Sequence, residues 1–326
     1  MLIDNHGRPI NYLRLAVTDR CNLRCFYCMP EEGITFLPKP HLLTFEEMLR
    51  MLTIMAEMGI SKVRITGGEP FVRKELMSFL RNLVEIPGIE NVNITTNGVL
   101  TVPHIPELKA MGIKSINLSL DTLDRERFKE MTRRDELPTV LKTLDSLLEN
   151  GIETKINAVM MAGKNDQDIL PLVGLTKKLP VSVRFIEEMP FNGSGLNEAA
   201  FMSYLKILDV IRERHPSLSK LKDEANSTSY NYSIENHLGN VGVIAAYSRT
   251  FCGTCNRIRV TPTGSLKTCL YDDGVLNLRD LLRSTNDNGL IKEKLMATFS
   301  NRHKDGFEAE ANRSSIVTES MTTIGG

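Results

Sequence analysis

Cys21-Asn-Leu-Arg-Cys25-Phe-Tyr-Cys28 sets three thiols in a CxxxCxxC spacing. Iron–sulfur cubanes are normally held by four cysteinates, so this run can ligate three irons and leave the fourth open to a group that is not protein. The competing use of such a run is structural zinc, but a tetrahedral site wants four ligands and no histidine lies near. One strand and one helix further on stands Gly67-Gly68-Glu69-Pro70. Adjacent glycines let a backbone approach a ligand closely, and the reading leaves their N–H and C=O groups free to bond it. Alone such a turn is more often only a loop, and its weight comes from the cysteine run before it.

Both motifs lie in a stretch that alternates short β-branched runs with amphipathic helical runs, the pattern of βα units on a parallel sheet. Strands are predicted over 12–17, 62–66, 91–95, 115–120, 153–160 and 182–186. Thr44 and Glu47 read as a capping box opening a helix with Phe45, Met48, Leu49, Leu52 and Met55 as its stripe and Gly59 as its stop. A second helix runs from Pro138 through Val140, Leu141, Leu144, Leu147 and Leu148 to Asn150-Gly151. Six units are too few for an eight-stranded barrel. The expected α/β fold is therefore an incomplete (β/α)6 TIM-like barrel, with functional groups at the C-terminal ends of its strands.

The pattern changes after Phe191. Asn192-Gly193-Ser194-Gly195 reads as a loop, a helix follows to about Arg214, and 230–234 with 241–247 looks like a hairpin. The predicted division is a barrel over 1–191 and a separate C-terminal α+β unit over 192–326 that closes it. The stretch from Glu308, with Arg313-Ser314-Ser315, is too poor in apolar residues to fold alone, and Gly325-Gly326 is expected to be a mobile end.

Forty Lys and Arg balance forty Asp and Glu. No overall field points to nucleic acid or an acidic membrane surface, so local basic residues must carry any anion binding. There is no N-terminal apolar h-region and no apolar run of about eighteen residues, which supports neither export nor a membrane span and points to the cytoplasm. Six cysteines in two tight groups, in a chain long enough for a large core, favour metal ligation over disulfides.

The second group is Cys252-Gly253-Thr254-Cys255 with Cys269. Again there are three, and the nearest histidines, His237 and His303, are remote, so a second cluster with an open iron competes with zinc. Cys255-Asn256-Arg257-Ile258-Arg259 adds guanidiniums at i and i+2, which share a face on an extended segment and suit a polyphosphate.

The CxxxCxxC run with its aromatic Tyr27, followed by Gly-Gly-Glu-Pro, resembles the radical S-adenosylmethionine (SAM) superfamily. With the second cysteine set, the CNRxR run and the terminal Gly-Gly, the whole chain resembles the molybdenum cofactor biosynthesis protein A family, whose members are GTP 3′,8-cyclases. The resemblance implies two 4Fe-4S clusters, one on Cys21, Cys25 and Cys28 that binds SAM, and one on Cys252, Cys255 and Cys269 whose open iron meets guanine. It implies SAM contacts from Tyr27, Gly67, Gly68, Glu69, Ser119 and Met189. It implies GTP contacts from Arg14, Arg64, Thr95, Lys155, Arg257, Ile258 and Arg259, and catalytic roles for Arg257, Arg259, Gly325 and Gly326. The reaction implied is closure of ribose C3′ onto guanine C8, giving 3′,8-cyclo-7,8-dihydro-GTP. The partners implied are an electron donor, a downstream cyclic pyranopterin monophosphate synthase and a homodimer mate, with no nucleic acid and no membrane. Two rivals stand beside this: a radical SAM enzyme acting on a peptide, and a non-catalytic zinc or nucleotide-binding regulator.

Overall fold

The protein is described here by a computed structural model covering residues 2–30, 33–191, 201–314 and 319–325. The expected loop at Asn192–Gly195, Ser315 and Gly326 lie outside the described residues.

Strands and helices alternate through the first two-thirds: β1 (Tyr12–Ala16), α1 (Phe45–Met58), β2 (Lys62–Thr66), α2 (Leu76–Val84), β3 (Asn91–Thr96), α3 (Ile105–Ala110), β4 (Ser115–Ser119), α4 (Arg125–Thr132), α5 (Leu137–Glu149), β5 (Glu153–Met160), α6 (Ile169–Lys178) and β6 (Ser182–Glu187). There follow α7 (Tyr204–Arg214), β7 (Ser219–Lys220), β8 (Tyr230–Ser233), β9 (Asn240–Ile244), β10 (Arg257–Val260), β11 (Ser265–Lys267), β12 (Leu276–Asn277), α8 (Leu278–Ser284), α9 (Asn288–Phe299), α10 (Gly306–Ala311) and α11 (Met321–Ile324). Local chemistry sets the helix ends. The Thr44 hydroxyl accepts from the Glu47 amide at 3.2 Å while the Glu47 carboxylate accepts from the Thr44 amide at 2.8 Å. Gly59, at φ 115°, then ends α1 in a conformation that glycine adopts at little steric cost.

The six predicted strands exist and run parallel in chain order, but the sheet is longer than six. Its order is β12-β11-β10-β1-β2-β3-β4-β5-β6-β9-β8-β7, and β10 pairs parallel with β1 while β9 pairs parallel with β6. Eight adjacent strands are therefore parallel, and the sheet stays open. The residues after 192 extend both edges of the one sheet and build no separate sheet of their own among the described residues. Long-range pairing of this kind leaves no local mark in a four-residue strand.

Each parallel strand alternates its faces. Leu13, Leu15, Val63, Ile65, Ile94, Ile116, Ile258 and Val260 are buried in a core that α1, α2, α3 and α9 cover. A second core gathers Leu118, Ile156, Val183, Phe185 and Val241 beneath α5, α6 and α7. Fully burying one such side chain is worth roughly 1.5–3 kcal/mol, so these faces fix strand register and turn the polar alternates inward. No described helix is long and apolar enough to cross a membrane.

Candidate active site

The inward alternates face a cavity of about 430 Å³ lined by all six cysteines. The cysteines are free thiols. Among the described residues no group of three or more Cys, His, Asp or Glu side chains closes around a single ion.

The first cysteine set follows β1. Cys28 and Met29 fold their amides back on the Cys25 carbonyl at 3.0 Å each, and the Asn97 side-chain amide reaches Cys21 Sγ at 3.6 Å. Burial pushes the Cys21 thiol up to about 11, with Glu69 adding to it, and also raises Cys25, with Asp121 adding, and Cys28, with the neighbouring thiols adding. Three thiols this reluctant to ionise fit a site that cations must compensate.

Gly67 and Gly68 line the same cavity, though the Gly68 amide is already bonded. Gly68 N–H donates to the Thr18 carbonyl and Glu69 N–H to the Arg20 carbonyl, both at 2.8 Å. A Cβ at Gly68 would lie 2.3 Å from the Arg20 carbonyl oxygen, so the glycines let this turn press on the backbone leading into Cys21. Glu69 is not among the lining residues. Fully buried, its carboxylate accepts from the Thr96 hydroxyl (2.8 Å), the Asn97 amide (2.7 Å) and the Phe71 amide (3.2 Å). Burial still raises it to about 7 against those bonds.

Tyr27, Ser119 and Met189 line the cavity. Asp121, the last residue of Ser119-Leu120-Asp121, was missed. It accepts from the Tyr27 hydroxyl at 2.7 Å and from the Val159 amide at 2.8 Å, and burial raises it to about 6. Its position two residues beyond Ser119 was the available signal. Glu188, which the sequence reading left without a role, also lines the cavity, and burial raises its carboxyl.

Strand register gathers the basic residues into rows. Arg259, Arg14 and Arg64 lie abreast on β10, β1 and β2, and Arg257, Tyr12 and Lys62 form the row before them. Thr95, Asn117 and Lys155 form a further row across β3, β4 and β5, with Arg184 on β6 opposite Asn157. All line the cavity; Ile258 does not, because its side chain is in the core. Lys62 and Arg184 were missed, and strand alternation with Arg64 and with Phe185 was the signal that could have found them. Among the described residues, Thr95 Oγ1, Arg64 Nη1, Asn117 Oδ1, Asn157 Oδ1, Arg184 Nε and Arg257 Nη2 are buried without a hydrogen-bond partner. Such orphaned groups are costly unless a polar ligand meets them. Burial lowers Arg259 to about 10, with repulsion from Arg257 adding to it. Burial would raise Tyr12, yet Arg64 and Arg14 beside it bring its phenol down to about 8.

The second cysteine set sits on the loop before β10 and at the turn after β11. Burial raises Cys269 to about 12, while Cys255, buried but beside the Arg257 guanidinium, is brought to about 7. The chain's end closes on the same cavity. Met321 and Thr322 line it, the Ser320 hydroxyl donates to the Cys28 carbonyl, and the Gly325 carbonyl accepts from Arg259 Nη1 at 3.0 Å and Arg14 Nη2 at 3.5 Å. The sequence reading, which expected a mobile end, had no sign of this contact between Gly325 and the two arginines.

Residues 15–175 match the family model described as Radical SAM superfamily, and residues 181–307 match Molybdenum Cofactor Synthesis C. The chain is 39% identical to the mitochondrial GTP 3′,8-cyclase of Arabidopsis thaliana, over 100% of this chain and 84% of that one. It is 43% identical to the GTP 3′,8-cyclase of Clostridium perfringens, over 90% and 89%. It spans about half the length of the molybdenum cofactor biosynthesis protein 1 relatives, such as that of Bos taurus (41% identity, 46% of that chain). Streptococcus suis SuiB shares the fold at TM-score 0.61 and 16% identity, over 88% of this chain and 69% of that one. The chain belongs to the GTP 3′,8-cyclase family of the radical SAM superfamily.

Proposed function

We propose that this chain converts GTP to 3′,8-cyclo-7,8-dihydro-GTP, the first step of molybdenum cofactor biosynthesis. One observation carries the reading: both three-cysteine sets and the rows of arginine face one cavity. The fit of the absent groups rests on this chain's donor sets, since each thiol trio can hold three irons of a cubane and leave one open. Cys21, Cys25 and Cys28 would hold the SAM-binding cluster, and Cys252, Cys255 and Cys269 the second. Bound there, the SAM-loaded cluster supplies hydrogen-atom abstraction from the ribose, chemistry that belongs to the cofactor.

The residues of the chain position and exclude. Tyr27, Gly67, Gly68, Ser119 and Met189 form the wall beside the first set, and the Asp121 carboxylate fixes the Tyr27 ring by its hydrogen bond. Arg14, Arg64, Arg257 and Arg259 take the triphosphate by charged hydrogen bonds, the role a P-loop plays elsewhere. Thr95 and Lys155 hold the nucleotide from the facing strands. Pinned at base and phosphate, GTP keeps C3′ toward the first set and C8 within reach of closure. The Gly325 carbonyl meets Arg259 and Arg14 at that end. The finer partners belong to the same reading: a low-potential electron donor, a cyclic pyranopterin monophosphate synthase that takes the product, and a second copy as homodimer mate.

The test is anaerobic turnover with reductant, SAM and GTP, following the cyclised nucleotide by chromatography and mass after derivatisation. Formation of the 3′,8-cyclised product is expected. SAM cleavage that proceeds with a peptide while GTP neither binds nor reacts would overturn the reading.

A further inference from the structure

A tight turn at the N-terminus, Asp4 to Arg8, reaches across the molecule to the second cysteine set. Asp4 and Arg302 side chains are 0% and 3% exposed and meet at 3.1 Å, while Arg8 Nε donates to the same Asp4 oxygen at 2.7 Å. The two guanidiniums grip the backbone at all three cysteines. Arg8 Nη1 donates to the Cys252 carbonyl at 3.2 Å. Arg302 donates to the carbonyls of Cys255 (3.3 Å), Arg257 (3.0 Å) and Thr268 (3.0 Å), the residue before Cys269, and its Nη2 reaches Cys255 Sγ at 3.9 Å. The turn also fixes Arg302 itself, since Asn5 exchanges two hydrogen bonds with the Arg302 backbone at 2.9 and 3.0 Å.

We propose that the Asp4–Arg8 turn and Arg302 are the support of the second metal centre, with Arg302 a positioning residue that orients its three thiolates and donates N–H to the Cys255 sulfur. This rests on the reading of that set as a cluster site. Charge carries the argument beyond packing. One carboxylate faces two buried guanidiniums, a net positive charge that burial disfavours unless a negative group lies beside it. Three thiolates on an oxidised cubane supply such a group. Partners behind a metal's ligands fix their orientation, and hydrogen bonds to cluster sulfurs raise its reduction potential.

The test uses the full chain with Cys21, Cys25 and Cys28 changed to Ala, so that only the second set can load. The first measurement is on that parent: absence of a cluster there, or zinc in its place, defeats the cluster reading itself and the inference with it. Arg302→Met, Asp4→Asn and Arg302→Lys are then compared with the parent for iron loss to a chelator and for midpoint potential by EPR-monitored titration. Arg302→Met and Asp4→Asn are expected to lose iron about tenfold faster or more, with the remaining cluster at a lower potential. Arg302→Lys keeps the charge but not the fork, and should recover part of the potential without the iron retention. Variants matching the parent in both measurements would overturn the proposal. So would loss of SAM binding at the first centre when Arg302→Met is placed in the otherwise native chain, because the effect would then be general unfolding.

Discussion

Glu69 shows what a single buried carboxylate does to this loop. Its three acceptor bonds tie the Gly67-Gly68 turn to the end of β3, yet burial still lifts its pKa from the ordinary 4.5 to about 7. The native chain therefore keeps a proton that the unfolded chain has lost. That preference contributes stability in full below about pH 4.5, and the contribution falls as pH rises to about 7, by about 3 kcal/mol in all. Urea unfolding of metal-free wild type between pH 5 and 8, set against Glu69→Gln, should show most of that slope vanish in the variant. Parallel slopes would mean the carboxylate is ionised throughout. The role was not legible beforehand, because Thr96 and Asn97 come from the next strand and nothing in Gly-Gly-Glu-Pro says which way the side chain turns. Asp121 escaped for the same reason.

Strand β10 shows how an element presents chemistry. Its four residues alternate Arg257 and Arg259, partly buried and facing the cavity, with Ile258 and Val260, fully buried against the helices. The guanidiniums repel each other, so the bare strand waits on an anion. Arg259→Ala or Arg257→Ala is expected to weaken GTP binding by roughly 1.5–3 kcal/mol each, as read by calorimetry, while substrate-free SAM cleavage persists. Unchanged GTP affinity in either would move the triphosphate elsewhere. The same-face placement of the two arginines was legible from their i, i+2 spacing. What the spacing could not give was the neighbour, β1, whose Arg14 completes the row, since pairing between strands so far apart in sequence depends on the whole sheet. The parallel barrel strands were legible because β-branched runs repeat between helices with clear caps. The edges were not, because β7 and β12 have two residues each.

At the scale of the molecule, two thiol sets at one cavity should bring about eight iron and eight sulfide per chain after anaerobic preparation. Cys269→Ser is expected to halve the iron and leave SAM binding intact; iron near four in the parent, or stoichiometric zinc, would contradict two cubanes. Removing Gly325 and Gly326 takes away the carbonyl that Arg14 and Arg259 share. Cyclisation should fall sharply with metal content and GTP affinity retained, and full turnover by the truncated chain would leave that carbonyl contact without catalytic weight. The clasp between residues 4–8 and Arg302 also imposes an order on assembly. The cysteines of the first set lie within one short loop, so the backbone contacts among them close early. The loops that carry the second cysteine set are braced by residues almost three hundred positions apart, and such non-local contacts form late. During synthesis at about 5–20 residues per second, the amino end waits for its partner until nearly the whole chain has emerged. Of the two thiol sets, the second is therefore the one whose bracing cannot be completed until nearly the whole chain has emerged, although its own cysteines are the last to appear.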